Sequence, residues 1–242
     1  MGGGYAQLRG LLYILYSSII SHFIDAKRII VSECGVTMYQ PKFAPMDTVT
    51  YTTHPLVLEA SKKIAELILD KQLEIIIPFE DFTKTEMMKL ISDDRILSQT
   101  HSCITGRWDK NCGTCYACIA RMIGSINLDL SIDYFRSNVF ELKDDEALSS
   151  LLNFCLNFEL DKEEVDYWSL KTIQIYGKED LFKRFCRDVF LCLQRLQEKD
   201  ELDMTYEFIL EHYTNHQDIA LIYRERELNN LDKSPDFNKK VL

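Results

Sequence analysis

The sequence predicts an α/β region, a parallel sheet with flanking helices and a metal-binding cysteine loop, followed by an α-helical extension. Three observations predict it. Helical and strand-like periodicities alternate through the first half of the chain; beyond Gly124 only the helical period persists. Four of the eight cysteines, Cys103, Cys112, Cys115 and Cys118, are spaced C-x8-C-x2-C-x2-C. Four thiolates on so short a loop, with Gly106 and Gly113 as turning points, can close a tetrahedron around Zn(II). Four sulfurs leave no position for water or substrate, so the zinc is expected to be structural. An iron–sulfur cluster and a pair of disulfides are the competing readings.

The elements follow in order. Over residues 5–26 apolar side chains recur at helical spacing through Leu8, Leu11, Leu12, Leu15, Ile19 and Phe23, and residues 28–31 then read as a short buried strand. Residues 32–53 hold Gly35, Pro41 and Pro45 without a clear period and read as a long loop. His54-Pro55 opens a helix with proline at its first position, running to about Lys71. Residues 74–77 form the next strand and stop at Pro78. Thr83-Lys84-Thr85-Glu86 is a capping box, in which Thr83 and Glu86 satisfy each other's backbone donors at a helix start. Both long loops leave the carboxyl ends of strands, where α/β sheets bind ligands.

In the second half, helices are predicted from residue 144 through Phe158, over 178–197, over 204–213 and over 219–228. Phe185, Phe190, Leu193 and Leu196 are spaced as a packing stripe. Cys155, Cys186 and Cys192 sit among Phe and Leu and read as buried free thiols, while Cys34 lies in the long loop. The polar stretch 229–242, with Pro235, is expected to be a flexible tail.

Composition bounds the function. A chain of 242 residues that is 46% hydrophobic can bury a substantial core. Its net charge of −10 argues against duplex nucleic acid as a partner, because polyanions are repelled unless contact is local. The one local candidate is the cysteine loop, where Arg107, Lys110 and Arg121 surround Trp108. The apolar run over residues 11–20 is too short for a membrane span, and no secretory signal is evident; a soluble cytoplasmic protein is expected.

The cysteine spacing, with its lead-in Thr100-His101-Ser102-Cys103 and its finish Cys112-Gly113-x-Cys115-x-x-Cys118, resembles the zinc loop of the 7-cyano-7-deazaguanine synthase family of ATP pyrophosphatases. Pro78-Phe79 with Phe82-Thr83-Lys84-Thr85-Glu86-Met87 resembles that family's Leu-Thr-Lys-Ala-Glu-Ile segment, and Arg9-Gly10-Leu11-Leu12-Tyr13 its Arg-Asn-x-x-Phe helix start. The resemblance runs from about Gln7 to Gly124. It implies a partial adenine-nucleotide-hydrolase-like (PP-loop) domain over residues 1–127, with the zinc loop at 100–124, a helical extension over 128–228 and the tail at 229–242. The implied activity is ATP-dependent adenylation of a small carboxylate and its coupling to a nitrogen nucleophile.

Two departures limit the resemblance. The family's Ser-Gly-Gly-x-Asp-Ser phosphate loop is absent, since Met1-Gly2-Gly3-Gly4-Tyr5 lacks its serines and aspartate. ATP with Mg(II) is therefore expected only if that loop is supplied, by a complementing chain or a homodimer, and the chain is expected to be inactive without it. The family's Tyr-Pro-Asp-Cys-Arg stretch is also missing from the loop after the first strand. The alternative function is a non-catalytic zinc-stabilised binding or assembly protein.

The resemblance places Arg9 and Lys84 near nucleotide phosphates, where a cation at a helix start is favourable if an anion is nearby. Substrate contacts are expected from Glu33 after the first strand, from His54, from His101 and from Arg107. Each has a plainer reading: a loop hydrogen bond for Glu33, a helix cap for His54, a hydrogen bond behind the metal for His101 and an exposed cation for Arg107.

Overall fold

The computed structural model describes residues 3–43, 51–91, 93–104, 110–142 and 145–231, with side chains from residue 10 onward except 205, 217–219 and 222. The chain forms two compact units; among the described residues the first comprises 3–42 and 51–81, the second 43 and 82–231.

The first unit is a small α/β layer. Helix α1 (Gly3–Phe23) leads through the left-handed Asp25 into β1 (Arg28–Ile30). A one-turn helix α2 (Gly35–Met38) follows within the stretch expected to be loop, and α3 (Pro55–Leu69) then crosses to β2 (Glu74–Ile76). The strands pair in parallel with Ile29 opposite Ile75. Bonds from Glu74 N to Lys27 O (3.0 Å) and from Val31 N to Ile76 O (2.9 Å) extend the ladder at both ends. Helix α3 starts where His54-Pro55 predicts, with Leu56 N donating to His54 Nδ1 at 3.3 Å, and it ends at Asp70 in the left-handed conformation.

The packing of α1 corrects the sequence reading. Among its described side chains the buried positions are Gly10, Ile14, Ser18 and Ser21, whereas Leu12, Ile19 and Phe23 of the expected apolar face are exposed. The reason is steric. Gly10 lies against the Thr52 backbone, where no Cβ could fit, and α1 packs on α3, whose buried residues are Leu58, Ser61 and Ala65. Ser18 and Ser61 return their hydroxyls to carbonyls four residues back, Ile14 O and Val57 O, so their burial leaves no polar group unmet.

The second unit is helical. It contains α4 (Lys84–Ile91), α5 (Asp94–Gln99), α6 (Tyr116–Asn127), α7 (Glu146–Leu160), α8 (Tyr167–Ile175), α9 (Glu179–Glu198) and α10 (Met204–Asn230). Aspartates at 93, 145 and 166 cap α5, α7 and α8 by accepting from backbone N–H groups of their first turns. Helix α9 is the axis: it packs on α6, α7, α8 and α10 and buries Phe185, Phe190, Leu193 and Leu196, the stripe expected from its period, together with Phe182 and Val189. Phe190 stacks on Tyr213 of α10 with ring centroids 3.7 Å apart. Two of the helices expected near the carboxyl end are one: α10 is continuous through residues 214–218, and it carries Asn229 and Asn230, expected in the tail. Residues 232–242 lie outside the described residues.

A buried ionic cluster ties α4 to α9 and α10. Arg224 Nε donates to Asp188 Oδ1 at 2.6 Å, and Arg224 Nη2 lies 2.8 Å from Glu86 Oε1. Arg184 Nη1 reaches Glu86 at 2.5 Å, and the Thr83 hydroxyl donates to the other Asp188 oxygen at 2.7 Å. Burial pushes Glu86 up, but Arg224 and Arg184 outweigh it and hold the carboxyl below its usual value. Burial likewise opposes the charge on Arg224, and Asp188 and Glu86 overcome it. Burial also pushes Asp188 up; with a permanent guanidinium on one oxygen and a hydroxyl donor on the other, the geometry serves its ionised form.

Candidate metal centre and adjoining cleft

The capping box forms as its sequence predicts: Thr83 N donates to Glu86 Oε2 at 2.8 Å and Glu86 N to Thr83 Oγ1 at 3.3 Å. It begins α4, whose face meets α6 at Gly124. A Cβ there would sit 2.7 Å from Met88 Sδ and 3.4 Å from Thr85 Cα, so glycine permits the close approach. Helix α6 in turn begins inside the cysteine loop, with Cys115 as its N-cap and Cys118 in its first turn. Two of the four cysteines, Cys115 and Cys118, are thus mounted on a helix packed against both α4 and α9.

The four sulfurs converge. Cys103, Cys112, Cys115 and Cys118 place their Sγ atoms within 4.8 Å of one another, and Cys112 and Cys118 are 3.8 Å apart. A regular tetrahedron with Zn–S bonds of about 2.3 Å has edges of about 3.8 Å, so the cluster fits a tetrathiolate ion site. Backbone donors favour the thiolates of Cys112 and Cys103. Cys112 Sγ accepts from the backbone N–H groups of Thr114 (3.4 Å) and Cys115 (3.3 Å), and Cys103 Sγ accepts from Cys112 N at 3.4 Å. Cys115, hydrogen-bonded by Cys118 and by backbone donors, is pulled down to about 4, while Cys118, the partner in that bond and buried, is pushed well up. The remaining cysteines are buried free thiols, as their Phe- and Leu-rich surroundings predict for three of them. Burial pushes Cys186 and Cys192 above the ordinary thiol value.

Sequence reasoning missed Asn111, which holds the loop shut. Its buried Oδ1 accepts from Ser102 N at 3.1 Å and Cys103 N at 3.2 Å, and its backbone oxygen accepts from Arg136 N at 2.9 Å. Gly113 follows at φ +88°, where an added Cβ would lie 1.8 Å from the carbonyl oxygen of Ser137.

Beside the centre lies a cleft of about 90 Å³ between α4, α5 and α6, lined by Lys84, Arg121, Thr100, Ser102, Met87 and Ile91 among others. Lys84 is half-buried on its rim. Arg121 is 3% exposed. Its guanidinium donates to Thr100 O at 3.1 Å, to Ser102 Oγ at 3.2 Å, to Leu97 O and to the Tyr134 hydroxyl at 3.5 Å, and it lies 5.0 Å from the Tyr134 ring centroid. By sequence Arg121 is one of several cations near the loop; the helical offset of three from Cys118 is the signal that sets it one turn further along α6.

The other expected site residues are distributed as follows. His101 is exposed at the entrance to the cysteine loop. Arg107 lies outside the described residues, as does the side chain of Arg9. Glu33 and His54 belong to the first unit. Glu33 Oε1 accepts from Cys34 N at 3.1 Å, the loop bond that was its plainer reading. His54 caps α3 and is 7% exposed, with its ring edge-on to Tyr39 and Tyr51; burial pulls its pKa below the ordinary histidine value.

Against family models, residues 9–128 match the one described as Queuosine biosynthesis protein QueC. Neither the curated proteins nor the solved structures include a significant match. The matched segment ends one residue after α6 and includes all four sulfurs, α4 and the cleft. No helix among the described residues is long and apolar enough to cross a membrane.

Proposed function

We propose that this chain, whose residues 9–128 form a QueC-like segment, is the metal-stapled portion of an ATP-dependent synthase that adenylates a small carboxylate and couples it to a nitrogen nucleophile. One observation carries this reading: the family match coincides with a sulfur cluster already folded to tetrahedral dimensions. Zn(II) held by Cys103, Cys112, Cys115 and Cys118 is structural here, because the four ligands saturate it, and it fixes the loop from which α6 and the cleft are built. Lys84, in the first turn of α4, is the cation for the phosphates of ATP.

In this reading the short sheet is part of a PP-loop layer. The phosphate-cradling part packs on the first unit, where Tyr13, Tyr16, Ile20 and Phe23 of α1 and Ile30 of β1 stand exposed. It comes either from this polypeptide or from a partner chain, and the helices beyond residue 128, which share the second unit with α4 and α6, serve the matched segment as a platform. The same exposed residues favour the second reading, a zinc-stabilised assembly protein without catalysis.

ATP–pyrophosphate exchange separates the two. The protein is purified from its native source with whatever copurifies, and candidate carboxylic acids are added. Acid-dependent exchange abolished by Lys84→Ala supports the synthase. No exchange with any acid, in the presence of every copurifying chain, supports the assembly protein.

A further inference from the structure

The carboxyl-terminal helix carries a second set of metal-binding side chains, outside the matched segment 9–128. His212 and His216 stand one turn apart on α10, the spacing that sets two side chains on one helix face, and both are exposed. Their ring centroids are 5.0 Å apart, with the planes inclined at 50°. With Zn–N bonds of about 2.1 Å and ring centres about 1.1 Å behind the nitrogen, two imidazoles on one tetrahedral ion have centroids about 5.2 Å apart. The pair already stands at that spacing.

The surroundings prepare it further. His216 Nδ1 lies 2.9 Å from the His212 carbonyl oxygen, which can only accept, so Nδ1 carries the proton and Nε2 of the neutral ring keeps its lone pair. Histidines that bind metals are commonly held this way, one nitrogen donating to a carbonyl and the other left for the ion. The ring nitrogens of His212 bond nothing among the described residues, so that exposed ring can turn one of them toward the same point. The helix beneath is fixed. Tyr206, Leu210 and Tyr213 on its opposite side are buried, and Tyr213 stacks on Phe190 of α9.

We propose that His212 and His216 form a second metal site, a two-histidine clip for Zn(II) on the surface of α10. It differs from the cysteine centre in what it leaves open. The neighbours one turn away on that face, Phe208 and Ala220, offer no ligand, so water or a donor from another molecule completes the tetrahedron. Two neutral donors hold an ion less tightly than four thiolates. The purified chain therefore keeps the loop ion alone, and the clip fills when free zinc is supplied. The site does not depend on the synthase reading.

The test uses the full chain, purified without a polyhistidine tag and with its cysteine loop saturated with zinc. Calorimetric titration with further Zn(II) should show one more ion bound per chain. His212→Ala and His216→Ala should each weaken that binding about tenfold or more, since either turns a chelate into a single contact. The added ion should also slow amide exchange over residues 212–216 in the parent chain and not in the variants. Both positions are exposed, so the variants keep the fold, which circular dichroism checks. No further ion bound, or a further ion bound equally well by either variant, overturns the proposal, because the two histidines bind only as a pair.

Discussion

Replacing Arg224 by methionine removes the charge that holds three helices together, and its cost follows from what remains. Arg224 is 1% exposed and serves Asp188, Glu86 and Glu227. Glu227 is half exposed and loses little. Glu86 keeps Arg184 at 2.5 Å. Asp188 keeps only the Thr83 hydroxyl, so the variant leaves one carboxylate buried without a cation. Breaking a buried pair from one side costs about 3–5 kcal/mol, mostly the desolvation of the abandoned charge.

Denaturant unfolding at pH 7.5 should therefore show the variant less stable by that amount, and Arg224→Met with Asp188→Leu should recover most of it. The deficit should also shrink on acidification. In the variant Asp188 is further raised above its unfolded value, so its folded form takes up a proton first. The penalty is then complete above the folded pKa and vanishes below the unfolded one, near 3.9. A loss under about 1 kcal/mol, or a double variant as unstable as the single one, would refute the argument that this cluster binds α4 to the carboxyl-terminal helices.

Other outcomes follow from the same geometry. Gly113→Ala and Gly177→Ala both force alanine to positive φ, at +88° and +63°, but only the first drives a Cβ into a backbone carbonyl. Gly177→Ala should cost about 1–2 kcal/mol. Gly113→Ala should cost more and weaken metal binding about tenfold, read by competition with a chromogenic chelator. His54 is neutral in the folded first unit and its pKa is depressed by burial, so its contribution is whole above the ordinary value near 6.5 and is lost as pH falls below it. Hydrogen-exchange protection factors in residues 51–69, referred to the intrinsic rate at each pH, should fall between pH 7 and 5.5, and His54→Asn, which keeps the cap, should flatten that dependence; an unchanged profile would show that His54 is not the group responsible.

The sequence disclosed local features better than tertiary ones, for physical reasons. Caps and boxes are short-range hydrogen-bond patterns, so His54-Pro55 and Thr83-x-x-Glu86 were legible as helix starts. The four cysteines were legible because metal geometry constrains spacing. The buried side of α1 was not. Its helix is apolar on nearly every face, and the burial of Gly10, Ile14, Ser18 and Ser21 reflects tertiary contacts, such as that of Gly10 with the Thr52 backbone, rather than hydrophobicity. The continuity of α10 was hidden by the polar stretch Thr214-Asn215-His216-Gln217, which breaks the apolar period without breaking the helix. Asn111 and Arg121 escaped notice as site residues because their roles come from partners eight to twenty-five residues away, which no periodicity encodes.

Metal content measured together with thiol count tests the central claim most directly. Purified protein should hold one zinc per chain and show no rapidly reacting cysteine; a chelator should release that zinc and expose four reactive thiols of the eight, leaving Cys34, Cys155, Cys186 and Cys192 protected by burial. Protein without bound metal whose mass shows Cys103, Cys112, Cys115 and Cys118 joined in two disulfides would contradict the account.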